Sequence, residues 1–258
     1  MSDIYQHFRK DEQPFVDQVL GWKNIALEQY RMKLTDFLDP REQFITQSVI
    51  QHSDELGLMF FGGYEEAERK RALIYPDYLA PTMQDFELTF FQVNYAKKFI
   101  SIEHPNLLGS LIGTGLKRQK FGDLLFSEDN VQFICTSDVA DFVRAQLTHV
   151  GRASVSLEEI SKADLQPVIS KTDIKEDTIS SLRLDAVCAA VSRQSRQKAQ
   201  LLVKNGLVKV NWKVTEDPSF TIGEGDQLSV RGFGRFSLKT IDGKTKKDKF
   251  KVTFELLT

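Results

Sequence analysis

The chain has 258 residues, 41% hydrophobic and 27% charged, with a formal net charge of −2. That is the composition of a soluble globular protein with room for two or three compact units, and no run approaches the roughly 18 apolar residues of a membrane span. The opening MSDIYQHFRKDEQ lacks the apolar stretch of a signal peptide, and Cys135 and Cys188 lack metal-type spacing, so two reduced thiols in a cytoplasmic protein are expected.

Through Tyr75 the chain reads as mostly helical. Pro14 sits early in a segment where Phe15, Val16, Val19 and Leu20 recur at helical spacing. Asp39-Pro40-Arg41-Glu42 is a strong helix start: Asp39 can cap exposed amides, Pro40 suits the first helical position, and Glu42 completes a box-like arrangement. The apolar run Leu58–Phe61, ending in Gly62-Gly63, predicts a strand and turn, and a second strand, Ala72–Tyr75, stops at Pro76.

Beyond Gln84 the rhythm changes. Phe86–Val93 reads as a strand, Asn106–Leu116 as a helix, Gly122–Phe126 and Val131–Cys135 as strands, Asp138–Leu147 as a helix and Ser154–Ile160 as a strand. The order βαββαβ is the ferredoxin-like arrangement, shared by the RRM fold of many RNA binders, although the aromatic signature of RRMs is not evident. The polar segment SKADLQPVISKTDIKEDTIS that follows, with Pro167, predicts a linker.

The charge is unevenly divided. Residues 181–258 hold 15 Lys/Arg against 8 Asp/Glu, a net of +7, and the first 180 residues carry a net of −9. A basic module tethered to an acidic body is the electrostatic pattern of a nucleic-acid binder, because phosphate neutralisation dominates such affinities. Within the module, Leu184, Val187, Cys188 and Val191 fall on one face of a predicted helix. A second helix is predicted over Arg193–Asn205, with Ser192 as cap and Gly206 as stop. On it Arg193, Arg196, Gln197, Gln200 and Lys204 gather opposite Ala199, Leu202 and Val203, with no acid among them, which favours an anionic partner. Val208 and Val210 then alternate with Lys209 and Asn211 as in a half-buried strand, and Gly223-Glu224-Gly225-Asp226 turns into Leu228-Ser229-Val230. Arg231-Gly232-Phe233-Gly234-Arg235 has two readings: guanidinium groups and a ring for phosphate and base, or a β-bulge with exposed arginines.

Ser181-Leu-Arg-Leu-Asp185, Ser192-Arg193-Gln-Ser195-Arg196, Lys204-Asn-Gly206-Leu-Val-Lys-Val-Asn211 and Gly225-Asp226 resemble, in that order, the S4 RNA-binding domain. Trp212 departs from it, since many S4 domains have glycine after the asparagine. The segment Leu108–Asp123, with Arg231–Arg235, is similar to YlmH-type S4 proteins of Gram-positive bacteria, and the similarity extends over most of the chain. The resemblance implies binding of rRNA and tRNA on the large ribosomal subunit, in quality control of interrupted translation. It also implies a link to cell division, from the place of such genes among cell-division genes.

Other features divide between readings. Lys117, Arg118 and Lys120 either satisfy carbonyls near a helix end or make a second RNA contact. Lys244–Lys251, with Asp242-Gly243 at the turn of a hairpin, offers solvated lysines or phosphate attraction. Asp185 suits a cap or an arginine orienter better than a catalytic acid. His7, His52, His104 and His149 have no partner at a catalytic or ligand spacing, and no P-loop, HExxH or nucleophile elbow is present. The expectation is therefore an α+β multidomain protein without catalysis, cofactor or metal. Residues 1–78 form a mostly helical domain, 79–162 a ferredoxin-like domain, 163–180 a linker, and 181–258 an S4 module with a C-terminal hairpin. RNA is to be gripped by Arg183, Arg193, Ser195, Arg196, Lys198, Gln200, Lys204, Lys209, Asn211, Arg231 and Arg235. A cell-division adaptor with protein partners and an RNA-modifying enzyme are the alternatives.

Overall fold

The computed structural model describes residues 4–51, 53–127, 130–167 and 172–257. The chain divides into two compact units, Met1–Ile169 and Ser170–Thr258. Among the described residues no helix is long and apolar enough to cross a membrane.

The first unit begins with α1 (Gln13–Glu28), β1 (Lys33–Leu38), α2 (Pro40–Ile50), β2 (Leu56–Phe61) and β3 (Lys70–Pro76). The helix start at Asp39 forms as its sequence dictates: Asp39 accepts from the Glu42 amide at 2.9 Å, and Glu42 accepts from the Asp39 amide at 2.8 Å. This region is more mixed than its helical signals suggest, because the three strands make an antiparallel sheet in the order β1-β3-β2. The unforeseen strand is β1. Its register against β3 shifts between Leu34 and Phe37, so Phe37 and Leu38 are both buried and the period-2 pattern is lost.

The unit continues with β4 (Leu88–Tyr95), α3 (His104–Gly113), β5 (Phe121–Phe126), β6 (Val131–Thr136), α4 (Ala140–Gln146), a two-residue β7 (His149–Val150) and β8 (Ala153–Ile160). The sheet order is β5-β6-β4-β8-β7, every neighbouring pair antiparallel. The four long strands thus stand in the second-third-first-fourth order of the ferredoxin-like fold. One face packs Phe91, Val93, Phe121 and Phe133 against Leu107, Leu111 and Val143 of the two helices. The other is covered in part by the N-terminal region. The Gly122 backbone lies so near Phe37 that a Cβ there would approach its ring to 2.8 Å, and one on Gly63 would come as close to Ile134. Gln132 adds to this cover, donating to Gln92 at 3.1 Å and to the Asp164 carbonyl at 3.0 Å, and accepting from the Gln166 amide at 2.8 Å.

The second unit contains β9 (Thr172–Ile179), α5 (Leu184–Ser192), α6 (Arg196–Lys204), β10 (Val208–Val210), β11 (Lys213–Val214), β12 (Gln227–Val230), β13 (Gly234–Lys244) and β14 (Phe250–Leu257). Its sheet runs β11-β10-β12-β13-β14-β9. Leu184, Val187 and Cys188 of α5 and Ala199 and Val203 of α6 pack on Val208, Val210, Leu228, Val230, Phe236 and Phe254. Each large apolar side chain buried there contributes about 1.5–3 kcal/mol.

Three expectations change in this unit. Residues 172–179, assigned to the linker, form edge strand β9, paired along its whole length with β14; 168–171 lie outside the described residues. Charged side chains suit an edge, which is why the segment resembles a linker in composition. Ser192 does not cap α6; its hydroxyl donates back to the Cys188 carbonyl at 2.6 Å, and Ser195 is the cap, accepting from the Lys198 amide at 3.3 Å. Arg193 precedes α6, in a left-handed turn (φ 53°) that ends α5. Finally, Gly243 lies within β13, where the register against β14 shifts, and the hairpin turns at residues 245–249.

Candidate nucleic-acid interface

The strongest local organisation in the second unit centres on Asp185, in the first turn of α5 and wholly buried. Arg183 presents Nε and Nη2 to the two carboxylate oxygens, both at 3.2 Å, and Arg196 does the same from α6, both at 3.2 Å. Gln200, one turn further along α6, donates at 2.8 Å. Burial opposes the charge on Asp185, but the hydrogen bonds from Arg183, Gln200 and Arg196 outweigh it and hold its pKa below the usual carboxylate range. The arginine side chains are 41% and 49% exposed, so their outer edges face solvent while Asp185 fixes their planes. One carboxylate between two guanidinium groups leaves a single positive charge in a rigid, planar presentation, the form suited to bidentate phosphate contacts. Asp185 is thus the arginine orienter.

From Arg193 to Lys213 the chain contains six cations and no acidic residue. Arg193, Lys198 and Lys204 are exposed, and among the described residues their side chains make no hydrogen bond or ion pair. Leu201 stands 59% exposed on the same helix, an apolar surface residue that the charge pattern did not single out. Ser195 is occupied as a cap.

Lys209 and Arg235 lie elsewhere. Val208 and Val210 point into the core, so by strand alternation Lys209 projects to the sheet face away from the helices. Ser229 pairs with both Lys209 and Arg235, which places these two cations in one row across β10, β12 and β13. The predicted helix–strand surface is therefore two surfaces. Asn211 is turned inward: its amide donates to buried Asp226 at 2.9 Å, and its oxygen accepts from the Gln227 amide at 2.9 Å. Asn211 (φ 48°) and Trp212 (φ 64°) are the central residues of the β10–β11 hairpin, both left-handed as a type I′ turn requires. Trp212 is thus accommodated where many S4 domains carry glycine. Arg231 and Phe233 stand exposed on the β12–β13 turn, which is a hairpin connection and not a bulge.

The second predicted cluster does not form a cationic patch. Arg118 donates to the carbonyls of Phe121 and Gly122, and burial followed by repulsion from Arg69 lowers its pKa to about 10, which leaves it charged at neutral pH. Lys120 is bound to Asp36 at 2.9 Å and Asp138 at 2.7 Å; burial works against its charge, but these hydrogen bonds prevail and raise its pKa. Only Lys117 is exposed. The N-terminal region and residues 164–166 cover the part of the sheet around Gly122, Gln132 and Ile134, on the face that RRMs display to RNA, and Asn94, Ser154, Ser156 and Glu158 of that face stay exposed. Among the described residues no group of His, Cys, Asp and Glu is arranged to hold a metal ion.

Three family models match in succession: the YlmH N-terminal model over residues 11–79, the YlmH RNA-binding domain model over 81–164 and the S4 domain over 182–228. The chain is 65% identical over 255 residues to the "Ribosome-associated protein quality control protein P2" of Bacillus subtilis (strain 168), covering 99% of each. It also resembles the solved structure of the "Cell division protein ylmH from Streptococcus pneumoniae", with a TM-score of 0.56 and 28% identity over 62% of this chain and 97% of that one. The chain belongs to the YlmH family, with an S4 domain in its C-terminal unit.

Proposed function

We propose that this protein binds structured RNA, rRNA and tRNA on the large ribosomal subunit, and acts without chemistry in quality control of interrupted translation in the cytoplasm. The observation that carries the reading is the acid-free run from Arg193 to Lys213, set beside two arginines whose planes Asp185 fixes. Phosphate neutralisation supplies most RNA affinity, and preoriented guanidinium groups add register. The name of the Bacillus subtilis relative supports the ribosomal setting. Changing Arg193 and Arg196 to Glu should abolish co-sedimentation of the full chain with large subunits; unchanged sedimentation rejects the assignment.

A second reading, a cell-division adaptor working through protein partners, draws on the name of the Streptococcus pneumoniae relative and on the net charge of −9 over the first 180 residues. Its complexes would survive ribonuclease treatment, and those of the first reading would not.

A further inference from the structure

The β13–β14 hairpin lies beyond the residues matched by the S4 model. Residues 244–251 hold five lysines and one aspartate. Lys244 pairs with Asp248 at 2.8 Å and lies over the Phe250 ring at 4.9 Å, so that lysine and the only acid of the segment neutralise each other. Lys251 belongs to a groove shared with Glu176, Asp177 and Asp242, whose charges oppose it. Lys246, Lys247 and Lys249 remain, exposed and without a hydrogen bond or ion pair among the described residues.

The loop that carries them is tightly built. The Thr245 amide donates to the Lys249 carbonyl at 2.7 Å, and the Asp248 amide donates to the Thr245 carbonyl at 2.9 Å. The Thr245 hydroxyl oxygen accepts from the Lys247 and Lys249 amides at 3.3 and 3.2 Å. Three lysines are thus carried on one turn whose backbone is already fixed by hydrogen bonds. An anionic ligand can meet these charges without ordering the backbone first.

The position of the tip selects the ligand. Phe250 pairs with Ile179 across β14 and β9, and Arg183 follows only four residues after Ile179. Even a fully extended chain keeps Arg183 within about 14 Å of Ile179. The lysine tip and Arg183 therefore lie within roughly 30 Å of each other along this path. Two groups of cations within that span fit a polyphosphate backbone.

The geometry points to the 245–249 tip as a second phosphate-contact site, at which Lys246, Lys247 and Lys249 grip the backbone of the same RNA that the Arg183–Arg196 pair engages. This rests on the RNA-binding reading and extends the footprint past the S4 domain onto the C-terminal hairpin.

The test uses the full chain with purified large ribosomal subunits and follows affinity across a KCl series. Three proteins are compared: wild type, the triple variant Lys246→Gln, Lys247→Gln, Lys249→Gln, and the double variant Arg183→Gln, Arg196→Gln. Circular dichroism and melting confirm that the lysine variant, altered only at exposed turn positions, folds as wild type. Losing three phosphate contacts should weaken binding at least tenfold near 0.1 M salt and make the log–log salt slope shallower by about 2 to 3. An unchanged affinity and slope in the lysine variant, beside a loss in the arginine variant, overturns this inference alone. Equal binding by all three proteins overturns the RNA-binding reading itself. A loss in the lysine variant with an unaltered salt slope also refutes phosphate contact.

Discussion

Asp185→Asn separates oriented arginines from mere positive charge. The substitution raises the net charge of the C-terminal unit by one, so simple counterion arithmetic predicts equal or tighter RNA binding. The arrangement around Asp185 predicts the reverse. The carboxylate accepts five hydrogen bonds from Arg183, Arg196 and Gln200 at 2.8–3.2 Å. An asparagine keeps one acceptor oxygen and turns an amide donor toward cationic donors. Breaking a fully buried pair costs up to about 3–5 kcal/mol. Here the arginine heads are 41% and 49% exposed and regain water, so a loss of about 2 kcal/mol follows. For a unit of this size that lowers its melting temperature by roughly 10 °C. Releasing two oriented side chains, at about 1 kcal/mol of ordering each, weakens RNA binding roughly thirtyfold. Calorimetry and binding to large subunits at fixed KCl measure both effects. Binding by Asp185→Asn at or above wild-type affinity would refute the orienting role, even if the protein melted earlier.

Acidification should reveal the same carboxylate. Its pKa is depressed in the fold, so its stabilisation is complete above the unfolded value near 3.9 and is lost as pH falls through the folded value. The stability gap between wild type and Asp185→Asn should be constant above about pH 4 and narrow below it, and a gap that widened on acidification would contradict this. Burial pushes the thiols of Cys135 and Cys188 up to about 12, so a thiol reagent at mildly alkaline pH should label neither until denaturant is added. Rapid labelling of the native protein would mean these segments open. Lys120→Ala should cost the first unit about 1 kcal/mol through its pairs with Asp36 and Asp138, and leave affinity for large subunits and the salt slope untouched. A shallower slope would restore Lys120 as an RNA contact.

Where local chemistry decides, the sequence is legible. The Asp39–Glu42 box, the βαββαβ order and the apolar face of α5 all stand in the fold as their patterns imply. The lapses arise where tertiary pairing overrides a local cue. β9 is charged because it is an edge strand, and only its partner β14 reveals it. Asp242-Gly243 looks like a hairpin turn, yet the register shift keeps Gly243 inside β13 and moves the turn to Thr245–Lys249. Ser192 has the composition of a cap, but the left-handed Arg193 ends α5 after it and leaves Ser195 to start α6. At the candidate site, residue type identified the cations but not their commitments. Lys120 and Asn211 are held by carboxylates distant in sequence, Arg118 is held by the carbonyls of Phe121 and Gly122 just beyond it, and Lys209 emerges on the far face of the sheet.

The most direct measurement is ultraviolet crosslinking of the full-length protein in cells, with the bound RNA sequenced and the crosslinked peptides mapped. Reads should concentrate in large-subunit rRNA and tRNA, with adducts on residues 183–204 and at the 245–249 tip. Adducts confined to the first unit, or reads scattered over messenger RNA, would contradict the proposed function.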